Sequence, residues 1–386
     1  MSELAPEDAL RLNVLMAGEI QAIRIDESAM VVHGLSSRGE AAIRLHPTGR
    51  QDQYLRRVRE LLAGLATGSP GGYPVHLRRW TRMGQARDEG LEKLLLFGEP
   101  EAVISVACSA GLTDELARRA WWSMPDAANA RRMLERRCVA EGEMGKVLVD
   151  YLVEFLPFEN ESGVILDTVR LVLKSGRATG EARNRLWRMG QRDMACHVGF
   201  LELQPDDIPL REAPRSDWIE LKESLANSAN PVSAQLLRTL SASGQAFLAT
   251  VEAVSRQLAD RDVAAALLDA VSGYFSPAGA VSCDSAESAI EQAAGLCSDP
   301  DSLQGKFLQE FPRHRDELFA MIVLASTGGR SIFPILSRTT ASGTLLRQKL
   351  DPVLAPLLRQ IAVLRGVPYS AENEARRRPL RGSRSG

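Results

Sequence analysis

The chain has 386 residues, 45% hydrophobic and 25% charged, enough for two or three globular domains. Lys and Arg number 47 against 49 Asp and Glu, so the net charge of −2 excludes an overall field that draws nucleic acid or anionic membrane. Basic residues are nearly all arginine, 41 against 6 lysines.

The first residues carry Glu3, Glu7 and Asp8 and no basic flank before an apolar run, so no signal peptide is expected. The most apolar stretch, Leu318 to Thr327, is shorter than the ~18–20 residues of a membrane span. Cys108, Cys138, Cys196, Cys283 and Cys297 form an odd set without framework spacing. These features predict a cytoplasmic protein with reduced thiols and no membrane insertion.

Pro6-Glu7-Asp8 opens a predicted helix to about Ala17, its carboxylates at the positive end of the helix dipole. The period then falls to two. Gln21 to Asp26, Met30 to Leu35 and Glu40 to Leu45 read as a three-stranded antiparallel meander, with Ser36-Ser37-Arg38-Gly39 as a turn. Gln51 to Leu65 is an amphipathic helix carrying Tyr54, Val58, Leu61, Leu62 and Leu65 on one side. This α-β-β-β-α unit over residues 1–66 is small for an independent domain and should pack on a helical body. Residues 67–86 read as loop and connector. Thr67 to Pro74 holds three Gly and two Pro, but Pro74 and a short strand, Val75 to Leu77, follow in place of a helix N-terminus and no Lys-Ser/Thr pair closes it, so an ordered interdomain loop is expected and not a phosphate cradle.

Residues 87–204 read as a Trp-rich helical domain. The candidate helices are Leu91 to Phe97, Glu101 to Ser109, Asp114 to Met124, Ala127 to Arg136, Glu143 to Phe155, Gly163 to Leu173, Thr179 to Met189 and Met194 to Leu203. Trp122-Ser123-Met124 and Trp187-Arg188-Met189 share a Trp-x-Met spacing, and Trp80-Thr81-Arg82-Met83 is a similar run with one residue more before its Met. Thr113-Asp114-Glu115 with Arg119 and Trp121 recurs 66 residues later as Thr179-Gly180-Glu181 with Arg185 and Trp187, and Trp122 meets Trp187 after a one-residue slip. Both threonines look like N-caps. The recurrence suggests stacked helical hairpins. Core Trp residues are one reading; a Trp/Arg interaction face of Trp80, Arg82, Trp187 and Arg188 is the other.

Pro205, Pro209 and Pro214 make residues 205–216 the expected linker to a C-terminal helical domain, 217–366. Its candidate helices include Ser216 to Ala226, Pro231 to Ser241, Ala246 to Leu258, Asp260 to Phe275, Ser285 to Cys297, Ser302 to Phe311, Arg313 to Ser326 and Gly329 to Thr339. Pro352 and Pro356 should break or kink the last, Ala341 to Leu364. Residues 367–386, with Arg376, Arg377, Arg378, Arg381 and Arg384, read as a disordered basic tail, either solvated or in contact with RNA or an acidic partner. The expected fold class is mainly α: a repeat-like body of helical hairpins with a small N-terminal α-β-β-β-α unit.

No catalytic constellation stands out. His314-Arg315-Asp316 is similar to a kinase catalytic loop, but Met321 stands where its Asn belongs. His33, His46, His76, His197 and His314 form no i, i+4 pair, and no metal or cofactor is expected. The candidate reactive thiols are Cys138, after Arg136-Arg137, and Cys196, beside His197, because a neighbouring cation favours thiolate. Ala195 and Val198 around Cys196 also fit a buried thiol. Cys108 has the small apolar neighbours of a core residue, Cys283 is expected to be exposed in a polar loop where Asp284 should raise its pKa, and Cys297 ends a helix.

The runs Leu10 to Leu15, Gln21 to Ser28, Gly68 to Val75, Arg79 to Gln85, Leu112 to Trp122 and Val153 to Glu159 resemble the DsrS family of sulfur reduction proteins. The resemblance is densest over residues 1–160. It implies a soluble, non-catalytic accessory protein of the cluster in which a reverse-acting sulfite reductase oxidises stored sulfur, with protein partners in that system. A cysteine-based sulfur handler and a regulator acting on RNA through the basic tail are the alternatives.

Overall fold

A computed structural model describes residues 4–68, 90–225 and 228–368. The expected Gly-Pro loop from Ser69, His76, the Trp80 to Gln85 run with Arg82, and the basic tail from Tyr369 lie outside the described residues. The chain divides into two compact units, 1–155 with 175–178, and 156–174 with 179–386. The Pro-rich stretch 205–216 lies inside the second.

The first unit opens with α1 (Pro6–Ala17), β1 (Ile20–Asp26), β2 (Val31–Ser36), β3 (Gly39–Arg44) and α2 (Gln51–Thr67). The strands form an antiparallel meander in the order β1-β2-β3. Ile23 pairs with Gly34, and Val32 with Ile43. Alternation puts Ile23 and Val32 on one face, where they meet Leu12 and Leu15 of α1 and Tyr54, Val58 and Leu62 of α2. The β1–β2 turn is set by Asp26, which accepts from Ser28 Oγ at 2.7 Å and Ala29 N at 2.9 Å. Met30 then takes a left-handed φ of 53° and drops its side chain into the core.

Seven helices follow: α3 (Leu91–Leu94), α4 (Pro100–Cys108), α5 (Asp114–Ser123), α6 (Ala127–Leu134), α7 (Arg137–Ala140) and α8 (Glu143–Phe155) in this unit, then α9 (Ser162–Lys174) in the next. The segment after α3 closes the sheet on one side, where Ile23 N–H donates to Leu95 O at 2.8 Å. Gly98 passes so near β1 that a Cβ would lie 2.7 Å from Ile25 Cδ1, and its φ is +65°. The helix predicted over Ala127 to Arg136 ends at Leu134, and α7 restarts from an extended Arg136.

The second unit continues with α10 (Gly180–Met189), α11 (Ala195–Leu203), α12 (Trp218–Leu225), α13 (Pro231–Leu240), α14 (Ala242–Gln257), α15 (Arg261–Phe275), α16 (Ala286–Ser298), α17 (Leu303–Glu310), α18 (Arg315–Ser326), α19 (Phe333–Leu336) and α20 (Gly343–Arg365). α11 is buried on most sides between α9 and α15, and α18 between α15, α16 and α20. Phe247 stacks on Tyr274 at 3.9 Å at the centre. The Pro-rich stretch is pinned by Arg238 to Asp206 at 2.7 Å and by Arg215 N–H to Leu240 O at 3.0 Å.

Two expectations are corrected here. Of the break or kink expected at Pro352 and Pro356, the break does not occur: α20 runs through both. The missing N–H groups cost bonds, yet Leu350, Val353, Leu354, Leu357, Leu358 and Ile361 are buried along it, and that burial outweighs the loss. Gly329 to Thr339 is no single helix but a 3-10 turn, Gly329–Ile332, followed by α19. Among the described residues, no single helix is long and apolar enough to cross a membrane.

Candidate functional site

Trp122, on α5, lies over the face of the sheet opposite the core. Its Nε1–H donates to Glu40 Oε1 at 2.6 Å, and the Arg24 guanidinium sits 5.0 Å from the ring centre. Arg118 reaches Gln21 Oε1 at 3.0 Å beside it. Trp121 meets Tyr151 of α8 edge-on at 4.7 Å. Both indoles are half-buried, so neither is the enclosed core residue of one reading.

Capping places this helix. Thr113 Oγ1 accepts from Leu116 N at 3.2 Å. Asp114 serves another helix, accepting from Glu143 N at 3.1 Å and Met144 N at 3.2 Å at the start of α8. Hydrogen bonds from Arg118, with Arg119 adding and burial opposing, bring the Glu115 carboxyl down to about 2.

In the second unit Thr179 caps α10 in the same way, accepting from Ala182 N at 3.2 Å. Trp187 is half-buried there, 4.2 Å from the His197 ring and 5.4 Å from Phe200. His197 Nε2 donates to Trp187 O at 3.1 Å, while buried Nδ1 has no partner among the described residues. Burial lowers the His197 pKa, against the opposing backbone bond, which favours the neutral ring. Gly190 leaves room for it: a Cβ there would lie 2.1 Å from the imidazole. Arg188 is exposed, its Nε donating to Asn184 O at 3.3 Å. Of the four residues of the expected interaction face, Trp187 and Arg188 stand together on α10, and Trp80 and Arg82 lie outside the described residues.

Cys196 is fully buried and lines a cavity of about 130 Å³ with Pro157, Asn160, Ile165, Met189 and Arg192. Burial, with Asp193 adding, pushes its thiol up to about 12. The adjacent imidazole is turned to Trp187 O and not to this thiol. Cys138 is exposed, and its Sγ donates to Leu112 O at 3.1 Å. The arginines before it turn elsewhere: Arg136 donates to Cys108 O at 3.0 Å, and Arg137 pairs with Glu141 at 2.6 Å.

Cys108, expected in the core, is exposed at the end of α4. Cys283, expected exposed, is half-buried, and burial followed by Asp284 raises its pKa. Cys297 is buried and raised by burial, with Arg315 opposing. Among the described residues no three His, Cys, Asp or Glu groups are placed to hold a metal ion.

Two features escape the sequence. Asp8 is fully buried and accepts from Tyr54 Oη at 2.6 Å and His46 N at 2.6 Å, with His46 Nδ1 at 3.0 Å. Burial raises its pKa, but these bonds together outweigh it and leave the carboxyl below its ordinary value. Burial, then Asp8, raises Tyr54 to about 12. An acidic residue in a first helical turn gives no hint of this network. The second is a polar opening of about 570 Å³ near Arg215, Asp217, Glu317 and Arg365. Its cations are paired, Arg215 with Asp217 at 2.6 Å and Glu317 at 2.9 Å, and Arg365 with Glu252.

Comparison with protein-family models, curated proteins and solved structures finds no match to this chain.

Proposed function

We propose that the chain is a cytoplasmic accessory protein of dissimilatory sulfur oxidation that acts by binding other proteins. The sulfur context rests on the resemblance over residues 1–160, most of which falls in the first unit. The observation that supports protein binding is Trp122, a half-exposed indole fixed between Arg24 and Glu40. Trp and Arg carry much of the binding energy of protein interfaces, and an indole already held in one rotamer loses little entropy on docking. Capture of the tagged chain from cells oxidising stored sulfur, wild type against Trp122→Ala, tests this. Enzymes of sulfur oxidation should co-purify with the wild type and be depleted in the variant. Equal recovery of all proteins with both chains sinks the proposal.

A second reading is a sulfur handler, favoured by the exposure of two thiols, Cys108 and Cys138. A persulfide carrier needs a thiol that donor and acceptor can reach. Persulfide labelling with mass spectrometry separates the readings: a persulfide confined to one cysteine and lost on its change to Ser supports the handler.

A further inference from the structure

β3 is an edge strand of the sheet, and among the described residues no strand lies beyond it. Gly39, Glu40, Ala41, Ala42 and Arg44 are exposed, and Ile43 is half-buried. One bond sets the backbone direction: Leu45 N–H donates to Met30 O at 2.8 Å. Peptide groups alternate along an antiparallel strand, so Gly39, Ala41 and Ile43 also face β2, and Glu40, Ala42 and Arg44 face outward. Among the described residues no backbone hydrogen bond meets those three outward positions.

Edges of this kind are usually blunted with Pro, Lys, a bulge or an inward charge. β3 has no Pro and no Lys, and the register shift of this sheet lies between β1 and β2. Its two charges instead stand symmetrically about Ala42 and differ in sign. If two such strands pair antiparallel through their outward groups, Ala42 faces Ala42, and each Glu40 faces Arg44 of the other strand. The intervening pair is Ala41 with Ile43. Small side chains at the centre let the backbones approach, and opposite charges directly across strands are favourable. In-register parallel pairing sets Glu40 against Glu40 and Arg44 against Arg44, which is unfavourable. Glu40 is also pre-placed, since Trp122 holds Oε1.

We propose that β3 pairs with β3 of a second copy of this chain, forming a six-stranded antiparallel sheet across a two-fold axis. This dimer is independent of the sulfur reading. Sedimentation equilibrium of the full chain over a wide concentration range tests it. The wild type should be a dimer. Arg44→Glu sets like charges against each other twice and should raise the dissociation constant about tenfold or more. The double variant Glu40→Arg/Arg44→Glu restores opposite pairs and should recover the dimer. Ala42→Pro removes the central outward N–H but no bond to β2, so it should fold, by circular dichroism, and be monomeric. A monomeric wild type overturns the proposal, as does a dimer indifferent to both Arg44→Glu and Ala42→Pro.

Discussion

Helices α5 and α10 both start after a capping Thr and carry Trp at their eighth position, yet their indoles meet different surroundings. The shared cap fixes the alignment: Trp121 corresponds to Trp187, and Trp122 to the exposed Arg188. The one-residue slip that would match Trp122 with Trp187 is not how the helices start. Trp187 lies against the helix that follows it, on His197 and Phe200. Trp121 is covered by Tyr151 of α8, and Trp122 by polar groups of the sheet. A local pattern sets helix start and phase. Which neighbour covers the indole is decided by residues far away in sequence.

The largest contrast is chemical. The Cys196 thiol, pushed up to about 12 by burial, lies well above a free cysteine, so its thiolate is scarce at neutral pH. Native protein treated with a thiol reagent at pH 7 should label Cys108 and Cys138 quickly and Cys196 only on unfolding. Since the folded pKa is raised, this group's contribution to stability is complete below ~8.5 and is lost as pH climbs toward 12. Rapid native labelling of Cys196 would show that the packing over its thiol opens readily, and the second unit would be the reactive one.

Next comes packing. Phe200→Ala removes a fully buried ring under Trp187 and should cost about 3–5 kcal/mol in urea unfolding. Trp122→Ala loses one hydrogen bond and a surface cation–π contact, about 1–2 kcal/mol together. A Trp122 variant as costly as Phe200→Ala would mean that both indoles are structural and would remove the basis for the interaction face.

Gly190→Ala sharpens the same contrast at about 1–3 kcal/mol. The His197 ring cannot easily retreat, because it is bonded to Trp187 O and stacked on the indole. The corresponding position after α5 is Met124, and the counterpart of His197 is Arg131, so the first unit needs no glycine there. A Gly190→Ala protein of wild-type stability, measured by thermal melting, would show that the imidazole is mobile.

Much of the fold was legible in the sequence because its signals are local. The period-two runs gave the meander, Pro6 gave the start of α1, and Thr113 and Thr179 gave two caps. What was hidden depends on distant partners. Asp114 looks like part of its own helix start but caps α8. Cys108 has apolar neighbours in sequence but sits at an exposed helix end. Pro352 and Pro356 predict a break until the buried stripe along α20 is known. Met30 in the left-handed region has no sequence signal, since Asn or Gly is the usual occupant. The candidate site was less legible: nothing local separates a core Trp122 from an interacting one, and its partners Arg24 and Glu40 lie far away in sequence.

The smallest predicted effects test whether the two helix starts are equivalent. Thr113→Ala and Thr179→Ala each remove one acceptor from one amide, and each should cost about 1 kcal/mol. Hydrogen exchange isolates the effect, since the Leu116 and Ala182 amides lose their partners and should exchange about fivefold faster. Asp114→Ala should add a further loss of about 1 kcal/mol in the first unit only, because it frees the amides of Glu143 and Met144. The second unit has glycine at the matching position, so Gly180→Ala removes no cap and should be neutral or slightly stabilising through helix propensity. If Asp114→Ala left exchange at Glu143 and Met144 unchanged, α8 would not depend on α5 for its start. The difference between the two helix starts would then lie only in what covers the indoles.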